Sequence, residues 1–476
     1  MNRFLQRTVG LAVILIVLLA AGLLWWGIAV TDPPTLWQPA HVTLAGIWRV
    51  LYSTELPNLG VLATALGIAL LLVLFVVVSE RIVANRYRRA GAEVTKLTLA
   101  PRAVMERTRG VFAGDVTVTV LIPAHNEEAS LPLTLRSLSQ QSAPPARILV
   151  VADNCTDGTV RVAREHGADV FETVGNTHKK GGALNQALAD LLPVLGDNDT
   201  VMIMDADSQI GDDFLRTAMR RFENDRALMS VGGLFSGEEG HGILGQFQRN
   251  EYFRYQREIQ RRDGRVFVLT GTASVFRASA LRAVAEARGA QLPGLRGEVY
   301  DTFALTEDNE LTIAIKSLGG LTISPRECTV VTELMPTWRM LWAQRLRWQR
   351  GALENLGTYG VTPQTLRYWS QQIGIGYGVL ALFSYFLLLG LMFVAMDTWV
   401  WFPFWLSVGV LFAIERTVTV WRGGWRARFV AMLVFPELVY DCFLNLAFLR
   451  GVFEIAFGRS ATWKHVDHGG AKEAAA

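Results

Sequence analysis

Cysteine is nearly absent. Cys155, Cys328 and Cys442 lie far apart, with no C-x-x-C pair and no histidine at ligand spacing. That excludes a disulfide framework and a zinc ribbon, and the thiols read as reduced and incidental. Charge is scarce too, at 19% of 476 residues, and 46 basic against 43 acidic side chains leave a formal net charge of only +3. So balanced a chain does not advertise a nucleic-acid binder, and no nucleic-acid partner is expected. Lysine occurs only at 96, 179, 180, 316, 464 and 472, so the basic complement is almost all arginine, a bias that carries no functional reading. What is abundant is apolar: 51% hydrophobic residues and a mean hydropathy of +0.26 place part of this chain in lipid.

The apolar residues are bunched. Residues 9 to 30 and 59 to 79 carry no charge, and each run is long enough to cross a hydrocarbon core of about 30 Å. A cleaved signal peptide would have a shorter run and a small-x-small site behind it, where Trp25 and Trp26 stand instead. Arg3 and Arg7 precede the first run and Arg81, Arg86, Arg88 and Arg89 follow the second, against Arg49 alone between them. The positive-inside rule then predicts a multi-pass plasma-membrane protein with both flanks in the cytoplasm. A second apolar block begins near 371, with 373 to 396 and 398 to 414 uncharged and Arg422, Arg426 and Arg428 behind them. Residues 429 to 450 are apolar but contain Pro436, Glu437 and Asp441, with Arg450, Arg459 and Lys464 at and beyond their end, so a broken, re-entrant or interface-lying helix is expected there rather than one more full span. The chain thus divides into two spans with a basic flank (1 to 90), a cytoplasmic α/β block (91 to 335), interfacial helices (336 to 370) and a C-terminal membrane region with a short cytoplasmic tail (371 to 476).

In the cytoplasmic block short β-branched runs alternate with helical segments. Residues 116 to 122 (VTVTVLI), 147 to 152 (RILVVA) and 200 to 205 (TVMIMD) are apolar enough to be strands buried on both faces, which predicts a mostly parallel, doubly wound sheet. Ligands of such sheets sit outside the carboxyl ends of the strands. There the chain places PAHNEE (123 to 128), DNCTDGT (153 to 159) and DADS (205 to 208).

Each cluster suits phosphate and metal chemistry, and each has a plainer reading. Asp205 and Asp207 put two carboxylates on one side of an extended segment, enough to share Mg²⁺ or Mn²⁺ completed by substrate phosphates; a solvated turn is the alternative. Asp153 can accept hydrogen bonds from a base or ribose, or serve as a turn residue. Lys179 and Lys180 precede GGALNQAL, where glycines admit a phosphate and a lysine supplies charge; a loop with solvated lysines would look the same. In TEDNEL (306 to 311), Glu307 and Asp308 open a helix, where the dipole alone favours acids, although a carboxylate facing a cleft can be a general base. In PTWRMLWAQRLRWQRG (336 to 351), Gln344, Arg347 and Trp348 share one helical face. An interfacial amphipathic helix explains most of its arginines and tryptophans; an arginine fork for a diphosphate and an aromatic platform for a sugar would use that face.

PAHNEE, VVADNCTDGT, KKGGALN, DADS, GTASVFR (271 to 277), TEDNEL and QRLRW occur in the order and approximate spacing of the membrane-embedded family-2 glycosyltransferases, which include cellulose, chitin, hyaluronan and poly-N-acetylglucosamine synthases. The resemblance covers about residues 115 to 355 and the flanking spans. It implies a GT-A-type nucleotide-sugar transferase domain with a mostly parallel, Rossmann-like sheet, flanked by transmembrane helices. It also implies that Asp153 and the 123 to 128 loop, with Pro123 and Glu127, hold the uridine, and that Lys180 lies near the nucleotide or diphosphate. Asp205 and Asp207 would bind UDP and the metal, and Asp308, beside Glu307, would deprotonate the acceptor. Gly271 and Thr272 would line the donor and acceptor pocket, Gln344 and Arg347 would touch the diphosphate, and Trp348 would stack on the acceptor sugar. Two departures stand out: Ala152, where many relatives have a second acid, and a longer segment at 287 to 305 before TED.

The activity this implies is inverting, metal-dependent transfer from a UDP-sugar, elongating and translocating a β-linked polysaccharide, with the bilayer and an export subunit as partners. The alternatives are a non-processive transferase acting on a lipid or lipid-linked acceptor, and a non-catalytic export subunit. The sugar and linkage are not legible.

Overall fold

The computed structural model describes residues 40–44, 48–52, 60, 64, 67, 97–110, 115–395, 398–401 and 403–459. The expected spans at 9 to 30 and 59 to 79, apart from residues 60, 64 and 67, lie outside the described residues, as do the arginines flanking them. Two compact units emerge, one holding the described residues between Val83 and Thr365, the other those up to Ile82 and from Leu366 to Ser460.

The first unit is an α/β sandwich. Its sheet has seven strands, β1 (Thr117–Ala124), β2 (Arg147–Ala152), β3 (Asp169–Glu172), β4 (Asp199–Met204), β5 (Leu228–Gly232), β6 (Ala273–Arg277) and β7 (Leu321–Ile323), in the order β7-β5-β6-β4-β1-β2-β3. All pairings are parallel except those of β6, which runs antiparallel to both β4 and β5. The expected mostly parallel sheet is therefore present. Side chains alternate across it: Leu121, Val151 and Ile203 enter one apolar layer with the helix Lys179–Leu191, while Val120, Ile122, Val150 and Met202 enter the other with the helices Leu131–Ser139 and Phe214–Asn224. β1 runs to Ala124, two residues beyond the expected end. Its pairing to β4 stops at Leu121 while that to β2 continues, so Pro123 falls where its missing N–H costs no bond on the β4 side.

Two later helices complete this unit. Glu307–Ser317 begins at the predicted acids. Trp338–Tyr359 is capped by Thr337, whose hydroxyl accepts from the Met340 N–H at 3.3 Å. The two helices meet where Gly351 faces Thr306: a Cβ on Gly351 would lie 2.5 Å from Thr306 Oγ1, and Asn355 Nδ2 donates to the Thr306 carbonyl at 3.1 Å. Thr306 thus docks the second helix.

In the other unit, the apolar stretch after 420 is broken at Leu433 and Val434. Helices Trp421–Met432 and Phe435–Ala456 meet at 90° and are long and apolar enough to cross a bilayer only as a pair. Among the described residues no single helix meets that test. Pro436 sits in the first turn after the break, and Arg416 pairs with both Glu437, at 3.5 Å, and Asp441. The two carboxylates that made a continuous span unattractive are ion-paired inside their own unit.

Candidate active site

Three strand ends and one helix start converge on a crevice. Asp153, the first residue after β2, is buried, and its Oδ1 accepts from Asn154 Nδ2 (3.1 Å), Thr173 Oγ1 (2.8 Å) and Asn176 Nδ2 (2.9 Å). Neither Thr173 nor Asn176 was singled out in the sequence. The PAHNEE acids divide: Glu128 accepts from the Gly158 N–H (2.9 Å) and from Arg161 (2.7 Å), fixing the next helix, whereas Glu127 adds negative charge near Asp207. Pro123 is the last residue but one of β1 and is half-buried.

Lys180 is half-buried and ion-paired. It stands in the first turn of the helix Lys179–Leu191, with Nζ 2.5 Å from Asp205 Oδ1 and 3.3 Å from Glu307 Oε1. Burial disfavours its charge, but Asp205, Glu307 and Asp308 outweigh that and push the ammonium's pKa up. The glycine at 182 serves packing: a Cβ there would lie 2.2 Å from Asn176 Oδ1 and 2.7 Å from His178 Cβ, so only glycine lets this helix rest against the side chain that holds Asp153.

The turn before β6 ties the two acidic motifs together. The Asp205 N–H donates to the Thr272 carbonyl (3.1 Å), and the Gly271 N–H donates to Asp308 Oδ2 (3.1 Å). A Cβ on Gly271 would reach to 3.3 Å from Lys180 Nζ and 3.4 Å from Asp308 Oδ2, filling the space between cation and carboxylate. Asp308 Oδ1 accepts from the Asn309 N–H at 2.8 Å. Burial first and the charge of Glu307 second push the Asp308 carboxyl up to about 6, against Lys180 and Arg347. Glu307 goes the other way: burial opposes its charge, yet Lys180 and Arg347 hold it low. Two adjacent carboxylates are thereby driven apart, one fixed as an anion and one able to exchange a proton near neutrality. Lys180, Gly271, Tyr300, Glu307 and Asp308 line one small cavity.

Asp207 lies beside this cluster, with Ser208 Oγ donating to its Oδ1 at 3.1 Å. Burial, followed by the charges of Asp205, Glu127 and Glu333, pushes it up to about 7. Glu333 was not foreseen; it follows the strand Thr329–Thr332, whose neighbour in a three-stranded side sheet, Gln209–Ile210, follows DADS directly. Among the described residues no three His, Cys, Asp or Glu side chains form a metal cage. The excess of negative charge at Asp205 and Asp207 instead suits a divalent cation whose shell is completed by ligand oxygens.

Arg347 belongs to the same electrostatic cluster, acting on Lys179, Glu307 and Asp308. Gln344 Oε1 is buried without a hydrogen-bond partner. Trp348 makes its contact with Arg345, whose guanidinium lies 4.3 Å from the indole centroid and pairs with Glu251 at 2.9 Å. Arg345 was hidden among the arginines of that helix. The structure thus gathers Lys180, Asp205, Gly271, Thr272, Glu307, Asp308 and Arg347, sets Asp207 and Glu127 beside them, and gives Gln344 and Trp348 no polar contact to that cluster.

Residues 119–285 match the glycosyl transferase family 2 model. The chain is similar to the probable glycosyltransferase YdaM of Bacillus subtilis (strain 168), 30% identical over 250 residues, 49% of this chain and 54% of that protein. It is also similar to the poly-beta-1,6-N-acetyl-D-glucosamine synthase of Staphylococcus aureus (strain COL), 26% identical over 246 residues, 50% of this chain and 55% of that protein. The chain spans about half the length of these curated relatives. Among solved structures, the mannosyltransferase PcManGT from Pyrobaculum calidifontis in complex with GDP-Man and Mn²⁺ aligns with TM-score 0.48 at 15% identity, over 82% of this chain and 99% of that one. Glucosyl-3-phosphoglycerate synthase from Mycobacterium tuberculosis aligns with TM-score 0.34 at 18% identity, over 55% and 83%.

Proposed function

We propose, from the match of residues 119–285 to the glycosyl transferase family 2 model, that the chain is a membrane-integrated, inverting GT-A transferase that takes sugar from a UDP donor and elongates a β-linked polysaccharide. One observation carries the chemistry: Asp308, a half-buried carboxyl pushed up to about 6, faces the Lys180–Asp205 pair across Gly271. In the reaction, Asp308 accepts the proton of the acceptor hydroxyl as its oxygen attacks the anomeric carbon. The bond from that carbon to the diphosphate breaks, and UDP leaves with the electron pair. Arg347 stabilises the charge that grows on the leaving group. Asp205 and Asp207 would hold Mg²⁺ or Mn²⁺, which supplies further neutralisation of the diphosphate. The three donors on Asp153 Oδ1 leave Oδ2 to accept from the nucleobase or ribose.

Processive elongation is supported by the helix bearing Gln344, Arg347 and Trp348, and membrane integration, with the catalytic unit cytoplasmic, by the uncharged runs and their flanking arginines. The relative named as a poly-N-acetylglucosamine synthase supports a polysaccharide product. The test offers purified protein single UDP-sugars with Mg²⁺ or Mn²⁺ and measures UDP release and product size. Long products with one donor are expected; one-sugar products would move the assignment to a non-processive transferase, and no release with any donor would overturn it. Gly182→Ala, which pushes Asn176 away from Asp153, is expected to raise the donor KM about tenfold with a smaller change in kcat, as kinetics on the same donor would read.

A further inference from the structure

The segment 287 to 305, which no motif explains, wraps a buried ion pair. Arg288 and Glu310 are 0% and 1% exposed, and their bond is bidentate, Nη1 to Oε1 at 2.8 Å and Nη2 to Oε2 at 2.7 Å. The same guanidinium donates to the Pro293 carbonyl (2.7 Å) and, through Nε, to the Val299 carbonyl (3.0 Å), tying both limbs of the loop to one point. The far end of the loop is fastened to the lysine helix. Asn185 Oδ1 accepts from the N–H groups of Val299 (3.1 Å) and Tyr300 (2.8 Å), and its Nδ2 donates to the Tyr300 carbonyl (2.9 Å). Tyr300 thereby roofs the cavity that also holds Lys180 and Asp308.

Glu310 has a third partner. Tyr359 Oη, at the end of the helix that carries Arg347, donates to Glu310 Oε1 at 2.5 Å. Three elements therefore meet on one carboxylate: the strap over Lys180, the helix that starts at Glu307 and Asp308, and the helix that presents Arg347. A buried ion pair is weak evidence for stability, because apolar side chains of similar volume often serve as well. We propose that Glu310 is a positioning residue, whose bonds to Arg288 and Tyr359 set Asp308, Tyr300 and Arg347 relative to one another. Tyr359 lies twelve positions beyond Arg347, roughly 18 Å along the helix, so its effect on the reacting groups runs through Glu310 and not through contact.

The inference rests on the proposed transferase activity, and its test separates the two. Tyr359→Phe removes one hydroxyl from a packed site. It is expected to lower kcat about tenfold with the donor KM within about twofold of wild type. The double substitution Arg288→Met with Glu310→Leu replaces the pair by apolar side chains; it is expected to melt within about 5 °C of wild type yet to keep the kcat defect. Amide exchange, which needs no donor, is expected to rise several-fold at Val299, Tyr300 and Asp308 in Tyr359→Phe while β4 stays protected. Turnover within twofold of wild type in Tyr359→Phe, or exchange confined to the last turn of its own helix, would overturn the proposal. A wild-type protein that releases no UDP would overturn the functional reading instead, and exchange alone would then decide the positioning role.

Discussion

Asp308→Asn is expected to reduce kcat by on the order of 10³-fold while leaving UDP binding within a few-fold of wild type. The side chain keeps its shape, but both carboxylate oxygens accept backbone N–H groups, those of Gly271 and Asn309. An amide satisfies one and sets its own NH₂ against the other, so no rotamer restores a base. The pH profile gives an independent reading. With the carboxyl pushed up to about 6, kcat/KM of the wild type is expected to fall as pH drops through about 6, and the residual activity of the variant to lack that limb. Stability follows the opposite sign. A carboxyl whose folded pKa lies above its ordinary 3.8 binds a proton more tightly when folded, so the stability it contributes is lost as pH rises from about 4 through about 6. Thermal melts should therefore favour the Asn variant, relative to wild type, more at pH 8 than at pH 4.5. A variant with near-normal turnover would remove Asp308 from the role of base.

The residues legible in the sequence were those whose signal is local. β1, β2 and β4 announced themselves because strands buried on both faces read as unbroken apolar runs, and Asp153, Asp205 and Asp308 followed from where such strands end or a helix begins. β6 went unread although its residues were noticed as a motif, because its place between β4 and β5 depends on pairing across about 70 residues of chain. The groups that support the site were hidden for the same reason. Asn176 sits in a stretch of Asn, Thr and His that reads as turn; its bond to Asp153 spans 23 positions. Glu333 gains meaning only when the side sheet folds it toward Asp207, and Gly351 only against Thr306. For Lys180 the sequence leaves a phosphate-side cation and a solvated loop lysine open side by side, because its ion pairs to Asp205 and Glu307 span 25 and 127 positions of chain. Helix amphipathicity accounts for the arginines of Trp338–Tyr359 as a class but does not distinguish Arg345, buried against Glu251, from Arg347 in the crevice.

Asp207→Ala is expected to abolish metal-dependent turnover and to weaken Mn²⁺ binding in the presence of UDP by about 100-fold or more, a loss of about 2.7 kcal/mol. The argument rests on charge. Asp205 has Lys180 against it, whereas the half-buried Asp207 has its carboxyl pushed up to about 7, by desolvation first and then by the charges of Asp205, Glu127 and Glu333. Such a carboxylate is a poor element of a metal-free fold and a good half of a two-carboxylate site for a cation that arrives with phosphate oxygens. The two states therefore respond oppositely. In chelator the variant is expected to melt at or above the wild-type temperature, because the repulsion is gone. With Mn²⁺ and UDP present the wild type should rise by several degrees and the variant should not. Calorimetric titration of Mn²⁺ into the UDP-saturated protein measures the binding loss directly. Wild-type turnover that survives exhaustive chelation, or a variant that binds Mn²⁺ as wild type does, would take the metal away from Asp205 and Asp207 and leave Lys180 and Arg347 as the neutralising charges for the departing diphosphate.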